Sequence, residues 1–199
     1  LAYIEVYDKL INTFLPMIPG QFLRNGLCVL PLSDLDAVAH GNRAAAWAAT
    51  AMGAVLCGDA VAEDYFNVAH VHLRECFDAP HLEVLSAHIA MCQLAFALGK
   101  RSQFITYAGF ADVLAAELES FMTAELKACM SHIASHIAGY TSEKIRFNPT
   151  EAEDLLRLSD FPLNVQLLYV IDYGNNALYT YMKDPSNPVE QRRNHARAV

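Results

Sequence analysis

Residues 43–57, Arg-Ala-Ala-Ala-Trp-Ala-Ala-Thr-Ala-Met-Gly-Ala-Val-Leu-Cys, run directly into Gly58 and decide the fold class. Ala is the strongest helix former because it has no side-chain freedom to lose. Its small volume lets one helix backbone lie close against another, so the stretch suits a helix wedged among neighbours better than one facing lipid. It also falls short of the roughly 18 to 20 apolar residues that span a bilayer, and no other run reaches that length. Gly58 supplies a stop, and the pattern predicts a helix over 35–57 capped by Ser33 or Asp34.

The same periodicity continues on both sides. Towards the N-terminus, Ile4, Tyr7, Leu10, Ile11 and Phe14 recur at three- and four-residue steps, predicting an amphipathic helix over 1–15 that stops at Pro16 and Pro19. Towards the C-terminus, Asp59 can cap a second helix reaching about Phe77, with Tyr65, Phe66, Ala69, Leu73 and Phe77 along one side. Pro80 suits the first turn of a third helix over 81–98, which Gly99 closes. Arg101 or Ser102 opens a fourth, which either merges into 117–138 or breaks near Ser120.

After a polar loop at 140–149, Thr150 and Glu153 form a capping box ahead of Leu155, Leu156 and Leu158. Pro162 begins a last helix with a buried stripe of Leu163, Gln166, Leu167, Val170, Ile171, Leu178 and Tyr181, ending at Asp184-Pro185. Strand signals are nearly absent. The expected fold is all-α: stacked antiparallel helix pairs, as a helical-hairpin array or an irregular bundle of about seven or eight helices. One domain should cover 1–184, leaving 185–199 as a polar, basic tail.

Composition narrows the function classes. The chain has 199 residues, 54% hydrophobic and 18% charged, which excludes the disordered classes. A net charge of −8 argues against direct nucleic-acid binding, which needs clustered Lys and Arg; the one basic cluster is terminal, at Arg192, Arg193, His195 and Arg197. Five cysteines lack any CxxC pair and fit a reducing compartment, nuclear or cytoplasmic. Glu5 and Asp8 interrupt what a signal peptide would keep apolar, and the missing initiator Met suggests an excised domain. A soluble protein with no membrane segment is expected.

Each candidate for chemistry has a plainer alternative. His132 and His136 share a helix face and could hold a metal with two further ligands. Ile133 stands where an HExxH site needs Glu, so the pair reads more simply as surface histidines. His88 and Cys92, four apart, could ligate a soft metal or form a reactive thiolate pair, but no matching pair lies elsewhere. His70 and His72 should point away from each other. Neither the carboxylate clusters nor any phosphate-binding or nucleophile-elbow motif supports catalysis, so no enzyme activity and no cofactor are expected. What remains is aromatic: Tyr65, Phe66, Phe96, Phe104, Tyr107, Tyr169 and Tyr173 are core residues or the lining of an inter-helix groove for an apolar ligand or peptide.

Gly58, Tyr65, Ala69 and Leu73 align with Gly99, Tyr107, Ala111 and Ala115 if one residue is inserted, a period of about 41 residues typical of a helical-hairpin repeat. Over residues 1–118 the order of features also resembles the regulatory domain of fungal-type transcription factors, the middle homology region. Ile11-Asn-Thr-Phe-Leu-Pro-Met-Ile-Pro19 with Phe22 is similar to that family's Pro-rich entry. Residues 44–58, 60–77, 81–99 and 104–118 are similar to its successive helices. The chain departs from the family in lacking a zinc-binding cysteine cluster and in being shorter. Tetratricopeptide-like repeats are the second resemblance. The first implies a non-enzymatic regulatory domain binding a small apolar effector or a co-regulator between helices, with homodimerisation allowed. The alternatives are a helical-repeat scaffold for a peptide or protein partner, and a helical metal-binding protein.

Overall fold

A computed structural model describes residues 2–12, 18, 23, 35–123, 126, 127, 129, 130 and 133. Within these residues the regular structure is entirely helical. Helix α1 is Ala2–Tyr7, continued by a π-helical turn over Asp8–Asn12. Four longer helices follow: α2 (Ala37–Leu56), α3 (Ala62–Arg74), α4 (Leu82–Ala97) and α5 (Arg101–Leu118). A 3₁₀ turn over Glu119–Phe121 ends the series. The region expected to form the last two helices lies outside the described residues, as does the 185–199 tail.

The Ala-rich segment forms the hub. α2 packs against α1, α3 and α4, and α4 packs in turn against α5. Ala44, Ala45, Ala48, Ala49, Ala51 and Ala54 are all buried on it, so its low side-chain volume is used on several sides at once. Two glycines mark the closest crossings. A Cβ at Gly41 would lie 2.9 Å from the backbone nitrogen of Val84 on α4, and one at Gly53 would lie 2.0 Å from the carbonyl oxygen of Tyr3 on α1.

The stop signals act where the sequence places them. Gly58 and Gly99 both adopt φ +69°, the left-handed conformation that only Gly takes without strain. The amides of Asp59 and Gly58 donate to the Ala54 and Val55 carbonyls, both at 2.9 Å, which satisfies the orphan acceptors at the end of α2. At the end of α4, Lys100 and Gly99 repeat the motif on Ala95 and Phe96, at 2.8 and 3.0 Å.

The starts differ from expectation. α2 is capped by Asp36, in extended conformation, whose carboxylate accepts from the Ala39 amide at 2.8 Å; Ser33 and Asp34 lie outside the described residues. α3 begins at Ala62, after Asp59, whose amide closes α2 while its side chain accepts from the Val61 amide and the Tyr3 hydroxyl. α3 ends at Arg74 rather than Phe77. Pro80 precedes an extended His81 and so lies outside the first turn of α4. Of the two endings open for the fourth helix, the break is the one observed: Met122 turns extended after the 3₁₀ turn.

Candidate functional site

Helices α3, α4 and α5 bring together rings that are scattered in sequence, with Tyr107 of α5 at the centre. The edge of Phe66 meets it at 6.3 Å between centroids, and His88 of α4 lies 6.2 Å away. The Tyr107 hydroxyl and Nδ1 of His70 share a hydrogen bond at 2.7 Å, with the hydroxyl as donor when the His70 proton is on Nε2. Burial, and then the Arg74 charge, hold His70 below the ordinary histidine pKa, which keeps its ring neutral and able to accept. Burial pushes the Tyr107 phenol up to about 12, so it remains a donor.

His88 continues the cluster towards the surface. Its ring stacks on Phe110 at 5.4 Å, and Phe110 meets Phe77 edge-on at 5.4 Å. The Nε2–H of His88 donates to the Phe77 carbonyl at 2.8 Å, which fixes the tautomer and makes Nδ1 the lone-pair nitrogen. That Nδ1 is buried and meets no hydrogen-bond partner among the described residues. Burial lowers the His88 pKa to about 4 despite the Phe77 carbonyl, so the ring is neutral at physiological pH. His88 is 1% exposed, whereas Phe77 is 43% and Phe110 36% exposed. The cluster therefore leads from an open aromatic edge to an enclosed, unsatisfied acceptor.

The expected groove residues separate into three places. Phe66 and Tyr107 meet, as described. Phe66 is further covered by Lys100, whose Nζ sits 5.2 Å from the ring centroid while ion-paired to Glu63 at 3.0 Å. Phe96 pairs with Phe104 at 5.7 Å, with Phe104 buried and Phe96 exposed. Tyr65 instead joins Trp47 at 5.3 Å and Tyr3 at 6.2 Å. Tyr169, Tyr173, His132 and His136 lie outside the described residues.

His88 and Cys92 share a helix face but are used separately. The Cys92 thiol donates to the Phe104 carbonyl at 3.7 Å, and burial pushes its pKa far up, opposite to a reactive thiolate. His70 and His72 do diverge: His72 turns to α2, where its Nδ1 lies 3.3 Å from Nδ1 of His40. Sequence spacing gives no hint of that pair, since the two residues are 32 apart on different helices. Phe110 belongs to the same aromatic series in sequence, but its stacking on His88, like the bond of His70 to Tyr107, depends on how α3, α4 and α5 cross.

Among the described residues no three His, Cys, Asp or Glu side chains gather into a metal-binding group, and no helix is long and apolar enough to cross a membrane. No family model matches the chain, and no curated protein or solved structure is significantly similar to it.

Proposed function

We propose that this chain is a non-enzymatic regulatory domain that receives a small apolar effector against the Phe77–Phe110–His88 cluster. The observation that carries the reading is the His88 Nδ1 lone pair, enclosed among aromatic rings and unsatisfied. A buried acceptor without a partner costs on the order of 1 to 3 kcal/mol, and a ligand donor would relieve that cost. The suited ligand has a flat apolar body to lie on Phe77 and Phe110 and one N–H or O–H to reach His88. Occupation would favour the packing of α4 on α5 that presents this acceptor, and so bias what the domain shows to other proteins. The order of helical features shared with fungal-type regulatory domains supports a place in transcription control, in nucleus or cytoplasm. The inert settings of Cys76 and Cys92, whose thiols burial pushes up, support a non-catalytic role.

Indole and 1-methylindole differ in one N–H and make a direct test by calorimetric titration. Indole should bind, 1-methylindole at least about fivefold more weakly, and His88→Phe should remove the difference. Equal affinity for both, or none for either, overturns the reading.

A second reading, a helical-hairpin scaffold docking a protein partner, is favoured by exposed apolar side chains on two helices: Val68 and Val71 on α3, and Phe110 and Val113 on α5. Stacking of the α2–α3 and α4–α5 pairs belongs to this reading. Amphipathic helical peptides should then bind, and Val68→Asp and Val71→Asp on α3 should weaken them while leaving indole binding at His88 unchanged.

A further inference from the structure

We propose that His40 and His72 form a divalent transition-metal site that clamps α2 to α3, with the two Nδ1 atoms as ligands. The geometry is the basis. Two nitrogens at the usual Zn–N length of about 2.0 to 2.1 Å, set at the tetrahedral angle, lie about 3.3 to 3.4 Å apart. The two Nδ1 atoms are 3.3 Å apart, with ring centroids 5.5 Å apart and planes inclined at 51°. At that distance one Nδ1 carries a proton and donates to the other, and a cation can take that proton's place once both rings shift their proton to Nε2. His72 is 6% exposed and held on the packed α2–α3 interface, so the bite is preorganised by helix packing.

The surroundings set the character of the site. Arg43 and Glu75 are the charged groups that act on His72, in opposite senses. Arg43 weakens the attraction for a cation and Glu75 partly restores it. No third protein ligand joins the pair among the described residues. Imidazole donors with open positions suit Zn²⁺, Ni²⁺ or Cu²⁺ rather than Mg²⁺ or Ca²⁺. The site rests on no feature of the effector reading, because it lies on α2 and α3 and uses neither His88 nor Phe110.

The test is calorimetric titration of the whole chain with ZnCl₂, followed by thermal unfolding with and without the metal. One equivalent should bind and raise the midpoint, the unfolding constant falling about tenfold for each tenfold rise in free Zn²⁺ above Kd. His40→Gln and His72→Gln should each abolish binding and shift. The double variant His132→Gln/His136→Gln and the exposed-thiol variant Cys57→Ser should retain both. Absence of binding, or binding that survives both single variants, overturns the proposal. If either single variant fails to fold, Cu²⁺ electron paramagnetic resonance on the His132→Gln/His136→Gln protein decides: two coordinated imidazole nitrogens support the clamp and fewer overturn it.

Discussion

Gly53 and Gly109 both sit inside helices, yet replacement by Ala should act on them in opposite directions. A Cβ at Gly53 would stand 2.0 Å from the Tyr3 carbonyl oxygen and 2.7 Å from its carbonyl carbon, backbone atoms that cannot rotate away. The ~1 kcal/mol of helix propensity gained is outweighed by lifting α1 off α2, so Gly53→Ala should destabilise by about 1 to 3 kcal/mol. A Cβ at Gly109 meets nothing within 4 Å, and Gly109→Ala should stabilise by about 0.5 to 1 kcal/mol. Urea unfolding of both variants checks the pair, and equal signs would show that α1 does not lie against Gly53. In sequence the two glycines look alike, because what separates them is a contact with a residue 50 positions away.

At the scale of the element, helix ends divide into those that announce themselves and those that do not. Gly58 and Gly99 were legible because the left-handed turn that closes a helix excludes almost every other residue. Starts were less legible because Ser33, Asp34 and Asp36 are all competent caps, and the choice among them depends on where the chain enters the core. Asp36→Ala should therefore cost about 1 kcal/mol through the amide left at Ala39, seen as a lower urea midpoint with an unchanged slope. The Tyr3–Asp59 contact is another tie that spacing cannot show: the carboxylate accepts the phenol proton, its own pKa is lowered, and the Tyr3 phenol is pushed up to about 12. Tyr3→Phe should loosen α1 against the α2–α3 turn, read as faster amide exchange in residues 2–7 with little change in global stability.

For the molecule as a whole, helical class was legible from periodicity alone, whereas the candidate site was not. Tyr107 and Phe66 could be picked out as aromatic, but the histidines that give the cluster its polarity meet it only through the crossing of three helices. That polarity has a global consequence, because the cooperative unfolding equilibrium senses every buried base. His88 titrates near 6.5 when unfolded and about 4 when folded, facing the Phe77 carbonyl, the neutral Tyr107 phenol and the Phe110 ring. Between these values the unfolded chain takes up a proton that the folded one refuses, so stability falls as the pH drops through that window. The loss approaches about 3 kcal/mol below pH 4 and vanishes above neutrality. His70 and His72 are shifted in the same direction but remain in a His88→Gln variant, so subtracting its urea-unfolding profile from the wild-type profile isolates His88. The difference should open between pH 7 and 4.5. Parallel profiles would mean that His88 accepts a proton at no cost in the folded state, and the neutral, ligand-seeking Nδ1 would have to be given up.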